Sequence, residues 1–203
     1  MEFHFVQAEP SRPERPAFYF DLFSPEAYLT AERVIVLLPA AEWIPISAAR
    51  LPRADMLDGF RCQTDREAFF DRVERAAARH RLQPVRWPDP FPSDTDFAMR
   101  VATYARQIGR SVSFSLAAFR QAFAAGKDLS VPENVLIAAA ACEMHPRAVL
   151  KGAELRSVAT QLQWVTAQAA RRGVYDVPAL SLPDGRVFHG HEALDGAAQA
   201  LTA

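Results

Sequence analysis

A chain of 203 residues, half of them hydrophobic, carries enough apolar material for one sizeable core. Its formal net charge of -1 offers no basic excess for nucleic acid and no acidic tail. No apolar run approaches the ~20 residues of a membrane-spanning helix, so neither nucleic acid nor membrane is an expected partner.

Residues 1–16 are polar and contain Pro10, Pro13 and Pro16. They lack the basic-then-apolar plan of a signal peptide, so they are read as a loose leader on a cytoplasmic protein. Residues 18–22 are aromatic and apolar, as a short core strand requires. Ser24 is a good N-cap and Pro25 a good first helical residue. Ala27, Ala31, Val34, Ile35 and Leu38 then form one helical stripe, which Pro39 closes. Residues 42–47 read as a second strand, completing a right-handed parallel βαβ unit.

A loop with Pro52 and Gly59 follows over residues 49–64, and Thr64 or Asp65 can cap a helix over 66–81 that buries Phe69, Phe70, Val73 and Ala77. Four prolines in residues 84–92 forbid helix and central strand, leaving an extended connector that carries Trp87 and Phe91. Ser93 or Asp94 can cap a helix that runs to Ile108. Ser111 or Ser113 can cap another, with Phe114, Ala117, Ala118, Phe119 and Phe123 inward and Gly126 at its end. Further helices are expected from Pro132, from Pro146, and over 154–172, the last stopped by Gly173. Residues 177–182 read as a strand, Pro183-Asp184-Gly185 as a turn, 186–189 as the returning strand and 191–201 as a final helix.

The order β-α-β, a block of helices, then β-β-α is that of a thioredoxin-like α/β fold with an all-helical insertion. Residues 17–64 and 152–203 would form the thioredoxin-like domain and 65–151 the insertion. Three separated pieces then converge. The first is the Ser24 turn, where a hydroxyl sits at the positive end of a helix and favours an anion. The commoner role for such a serine is N-cap alone. The second is Val177-Pro178, where a proline opens a core strand; a cis bond there would free the preceding backbone to pair with an extended ligand. The third is the helix start at His191-Glu192.

Cys62 and Cys142 lie far apart and in no Cys-x-x-Cys, so dithiol exchange at the turn is chemically excluded and no disulfide is expected. Cys142 reads as a small core residue and Cys62 as an incidental exposed thiol. His189 and His191 flank Gly190, but nothing nearby completes a ligand set, so no metal is expected.

The run Phe18-Tyr19-Phe20-Asp21-Leu22-Phe23-Ser24-Pro25-Glu26-Ala27-Tyr28-Leu29 resembles the opening of the 2-hydroxychromene-2-carboxylate isomerases and kappa-class glutathione transferases, the DsbA-like branch of the thioredoxin fold. Arg86-Trp87-Pro88 with Phe91-Pro92 matches that family's proline-rich segment beside the active site. The resemblance implies a glutathione-dependent isomerase or transferase acting on a conjugated, aromatic-derived small molecule. Ser24 would donate its hydroxyl to the glutathione sulfur as the catalytic group. Val177 and a cis Pro178 would bind the cysteinyl part, and His191 and Glu192 the γ-glutamyl end. Phe23, Tyr28 and Trp87 would wall an apolar substrate, and a homodimer would be in keeping.

The chain departs from the family pattern at His189 (usually Trp), Glu192 (usually Asp) and Ala193 (often Arg). It has no Asn between Ile46 and Thr64, where the family often places one; Arg50, Arg53 or Arg61 could meet a carboxylate there instead. Two alternatives follow from the departures: a cysteine-less binding or scaffold protein, or an enzyme using another low-molecular-weight thiol.

Overall fold

A computed structural model describes residues 14–52 and 59–202, with the side chain of Thr202 excepted. Most of the expected leader and Arg53 therefore lie outside the described residues.

Among the described residues four strands form one mixed sheet in the order β2-β1-β3-β4. Strand β1 (Ala17–Phe20) pairs in parallel with β2 (Glu42–Pro45) and antiparallel with β3 (Ala179–Ser181), which pairs antiparallel with β4 (Val187–His189). Every residue of β1 is buried. The alternation explains this: Phe18 and Phe20 face one helical layer, Ala17 and Tyr19 the other, so a central strand covered on both sides reads as a continuous apolar run.

The Phe18–Phe20 face packs on α1 (Pro25–Leu37), on α8 (Ala193–Thr202) and on a helical block. That block comprises α2 (Gln63–Arg79), α3 (Asp96–Gln107), α4 (Ser111–Phe123), α5 (Pro132–Ala140) and α6 (Pro146–Glu154). The Phe20 ring lies 5.6 Å from Phe119 of α4 and 6.0 Å from Trp43 of β2. Each such fully buried ring contributes roughly 1.5–3 kcal/mol by leaving water. The opposite face, with Tyr19, Ile44 and Ile46, is covered by Val165 and Ala169 of α7 (Arg156–Arg171).

The structure bears out the thioredoxin-like topology and corrects several local expectations. Ile35 is 40% exposed rather than part of the α1 stripe. Helix α2 starts after Cys62 with no side-chain cap, so neither Thr64 nor Asp65 fills that role. Neither Ser93 nor Asp94 occupies the position before α3; Thr95 does, and the Ser93 hydroxyl donates to the Pro90 carbonyl instead. Ser111 and Ser113 lie inside α4. Ser111 donates to the Trp43 carbonyl and Ser113 to that of Arg110, satisfying backbone acceptors instead of capping donors. Cys142 is buried and Cys62 exposed, as expected.

Candidate active site

The chain leaves β1, makes a tight turn and enters α1 at Ser24. The Ser24 side chain is 2% exposed, and its Oγ accepts a hydrogen bond from the Ala27 N–H at 3.1 Å. Ser24 is thus an N-cap in fact, with Pro25 pre-set at the first helical position. Because Oγ is the acceptor in that bond, its own proton remains to be donated.

Behind the turn sits Asp21, whose importance the sequence did not signal. Its carboxylate accepts from the Phe23 N–H (3.3 Å), the Ala48 N–H (2.9 Å) and the Thr95 hydroxyl (2.8 Å), while its carbonyl accepts from the Ser24 N–H (3.2 Å). One side chain therefore ties the turn to the short 3-10 segment Ala48–Arg50 and to the start of α3. Burial pushes its pKa from 3.8 up to about 6, against the opposing pull of those hydrogen bonds.

In front of the turn the N-terminal ends of α1 and α8 meet. Glu26 lies with one carboxylate oxygen 3.7 Å from His191 Nδ1 and 3.4 Å from an Arg72 guanidinium nitrogen. Burial alone would raise the Glu26 pKa; His191 and Arg72 outweigh it and hold it below 4.5. His191 is 6% exposed, and its Nε2 is buried with no hydrogen-bond partner among the described residues. Glu192 is exposed and reaches Arg79 at 3.3 Å. Glu26, Arg72 and Arg79 escaped the sequence reading because the partners of each pair lie 46 to 165 residues apart; helical spacing on α2 puts Arg72 and Arg79 on one face, but nothing local names their partners.

The Val177-Pro178 bond is cis, as expected, and Pro178 is buried at the entrance to β3. The Val177 N–H donates to the Asp176 carboxylate at 2.7 Å, and the Pro178 carbonyl accepts from Gly190. The connector holds two further cis bonds, Asp89-Pro90 and Phe91-Pro92.

The three aromatic residues expected to wall a substrate have different surroundings. Tyr28 is 1% exposed, stacked on Phe123 at 5.7 Å, inside the core rather than at a surface. Phe23 is buried in the cluster that contains Tyr19 and Val177. Trp87 is half-buried, stacked on Phe70 at 3.7 Å, with its indole N–H donating to Glu74 at 2.7 Å. Beside the turn lies a narrow cavity of about 10 Å³, lined by Phe23, Phe91, Thr95 and Phe123 among others. That is room for one water-sized sphere.

Arg50 and Arg61 are exposed. His189 stacks on Tyr175 at 3.7 Å, and no group of three or more potential metal ligands occurs among the described residues. No helix among the described residues is long and apolar enough to cross a membrane.

A profile of the DSBA-like thioredoxin domain matches residues 17–202, and the chain belongs to that family. No curated protein sequence matches it. Among solved structures it resembles a 2-hydroxychromene-2-carboxylate isomerase, with 17% identity, a TM-score of 0.78, and 92% of this chain covering 94% of that one. It also resembles a probable DsbA oxidoreductase from Streptomyces coelicolor, with 20% identity, a TM-score of 0.67, and 93% covering 88%. DsbA of Pseudomonas aeruginosa gives 14% identity and a TM-score of 0.56, with 94% covering 87%. At these identities the likeness is one of fold.

Proposed function

We propose that this chain is a glutathione-dependent isomerase or transferase of the 2-hydroxychromene-2-carboxylate isomerase type, acting on a flat, conjugated small molecule. The observation that carries the reading is the buried Ser24 hydroxyl at the N-terminus of α1, with no cysteine in the turn. A site built this way has no sulfur of its own; a bound thiol supplies the nucleophile. The chain's residues fit that group at two points. The Ser24 proton and the positive end of α1 both favour an anionic sulfur over a neutral thiol. The buried His191 Nε2 makes no hydrogen bond among the described residues and lies 3.9 Å from Glu192 Oε1, so a ligand's polar end would give it the bond it lacks.

The other two expected contacts are engaged within the chain. Val177 N–H would have to leave Asp176, and Glu192 would have to leave Arg79. The Glu192–Arg79 exchange is inexpensive, since exposed ion pairs of this kind contribute roughly 0–1 kcal/mol; the Val177 N–H would trade its bond to Asp176 for one to the ligand. The cavity of about 10 Å³ is too small for a flat substrate, so on this reading the connector at Pro88 and Phe91 moves outward from Phe123 to admit one. Ser24 then holds negative charge on sulfur, and Phe23 and the connector exclude water from it. A homodimer belongs to the same reading.

The engaged clamp favours a second reading, a cysteine-less binding member of the fold. Calorimetric titration with reduced glutathione, against S-methyl glutathione, separates the two. The isomerase or transferase reading expects saturable binding of the free thiol, weaker for the methylated form. No heat from either ligand, nor from other low-molecular-weight thiols, would leave the binding-module reading.

A further inference from the structure

In front of the Ser24 turn, Glu26 of α1 and Arg72 and Arg79 of α2 meet His191 and Glu192, which stand just before α8. The Gly190 N–H donates to the Pro178 carbonyl at 2.9 Å, which fixes this end of α8 beside the entrance to β3. The charges are loosely paired. Glu26 Oε1 lies 3.4 Å from Arg72 and 3.7 Å from His191 Nδ1; Glu192 Oε1 lies 3.3 Å from Arg79 and 3.9 Å from His191 Nε2. The side chains of Arg72, Arg79 and Glu192 are more than half exposed, so these pairs are weak and open to exchange. His191 is different. It is 6% exposed, and its Nε2 is shielded without a hydrogen bond among the described residues. Two further groups stand close by and are not open. Arg33 is closed on Asp195 at 2.6 Å, and burial with the Arg33 charge holds His80 below its ordinary 6.5.

With the imidazole uncharged, two carboxylates and two guanidiniums cancel. Such a cluster suits a group that carries both signs at once and discriminates against a simple anion or cation. An α-amino-acid head, with ammonium and carboxylate on one carbon, is a group of that kind. Glu26 faces Nδ1, so its charge favours the tautomer with the proton there and leaves Nε2 an acceptor. Nε2 and Glu192 Oε1 are then two acceptors 3.9 Å apart, and both can reach one ammonium at ordinary lengths of about 2.8–3.0 Å. Glu192, 77% exposed, has the freedom to swing and let it in. In turning to the ammonium it releases Arg79, whose side chain makes no other ion pair or hydrogen bond among the described residues. The freed planar guanidinium suits the adjoining carboxylate. Arg72 stays with Glu26, its guanidinium carbon 5.1 Å from the centre of the Phe69 ring.

We infer that Arg79 is the specificity-determining residue that takes the carboxylate of an α-amino-acid head in this cluster, and that Glu26 is a positioning residue that holds His191 as an acceptor for the head's ammonium. The inference deepens the thiol reading and rests on it for the peptide that would carry the head. A free amino acid has the same chemistry, and the test separates the two sources.

The test is NMR titration of the full chain with γ-glutamyl-α-aminobutyryl-glycine, a sulfur-free counterpart of glutathione. Two control peptides accompany it: the glutaryl form, which lacks the ammonium, and the γ-aminobutyryl form, which lacks the α-carboxylate. Saturable binding with Kd below about 1 mM is expected, with each control at least tenfold weaker. Arg79→Gln should weaken the γ-glutamyl peptide several-fold and leave the γ-aminobutyryl form as it was, a pattern that a general structural loss does not give. Nitrogen NMR of the imidazole reads the second part without any ligand: Glu26→Gln should move His191 away from the tautomer protonated at Nδ1. L-Glutamine binding as tightly as the peptide would support the head group and assign it to free amino acids; much weaker glutamine would assign it to the peptide. The inference is overturned if neither peptide nor L-glutamine saturates, if the controls bind as well as the peptide, if Arg79→Gln weakens all three peptides alike, or if Glu26→Gln leaves the tautomer unchanged. Glutathione binding that needs Ser24 but ignores Arg79→Gln would overturn it and leave the thiol reading standing. Peptide binding as described, with no fall in the pH at which bound glutathione ionises, would support it and remove the Ser24 reading.

Discussion

Replacing Ser24 by alanine removes two interactions of different kinds. The N-cap bond to Ala27 is worth about 1 kcal/mol, so the variant should unfold at slightly lower denaturant with its fold intact. The hydroxyl donor is the larger loss for function, and turnover should disappear; an active Ser24→Ala enzyme would remove Ser24 from the chemistry. On either side of Ser24 stand two carboxyl groups with opposite pH behaviour. Asp21 has a folded pKa of about 6, above its ordinary 3.8. The folded chain thus keeps a proton that the unfolded chain releases. The stability it brings is complete below pH 3.8 and is lost as pH rises through 6, a change of about 3 kcal/mol at ~1.4 kcal/mol per pH unit. Glu26 is held below 4.5, so its contribution is present above 4.5 and lost as pH falls through its folded value. Urea unfolding between pH 4 and 7 should show Asp21→Asn flattening the decline that Asp21 brings to the parent chain between about pH 4 and 6. An unchanged slope would mean that Asp21 is charged in the folded protein. Ser24 was visible in the sequence because caps are local. Asp21 was visible only as a letter in a motif, since its partners Ala48 and Thr95 come from two other segments.

Elements were legible where periodicity and prolines marked them. The start of α1 at Pro25, of α5 at Pro132 and of α6 at Pro146 all follow the rule that proline suits the first helical turn. Serine-based starts failed at α3 and α4 because a serine's hydroxyl has several partners to choose from, and packing against Pro90 and Trp43 decided the choice. Packing between elements was less legible still. Helix α6 crosses α3 so closely at Gly152 that a Cβ there would lie 2.6 Å from Tyr104 Cδ2 and 2.7 Å from Cγ, the ring's inner end. Alanine gains up to about 1 kcal/mol in helix propensity, but overpacking costs about 1–3. Gly152→Ala should therefore lower the melting temperature; a rise would show that the α3–α6 contact yields easily.

On the scale of the whole molecule, sheet and insertion share one core. Phe18, Phe20, Trp43 and Leu180 of the sheet belong to the same buried cluster as Met99, Phe114, Phe119 and Phe123 of the helical block. Although residues 65–151 read as an insertion, they should not melt alone. Circular dichroism and tryptophan fluorescence should give coincident denaturation curves, and two separated transitions would contradict the shared core. The thioredoxin-like order was readable from the strands at both ends of the chain. The mutual engagement of Glu26 with His191 and of Arg79 with Glu192 was not, because it arises only when α1, α2 and α8 converge. The central proposal is that Ser24 and the N-terminal end of α1 hold the sulfur of a bound thiol as an anion. The direct measurement is the ultraviolet thiolate absorbance of bound glutathione against pH. The account predicts that its thiol ionises at least about one pH unit lower on the parent chain than free in solution, a preference of ~1.4 kcal/mol, and that Ser24→Ala reduces the difference to what the end of α1 supplies. Ionisation of bound and free thiol at the same pH would contradict it.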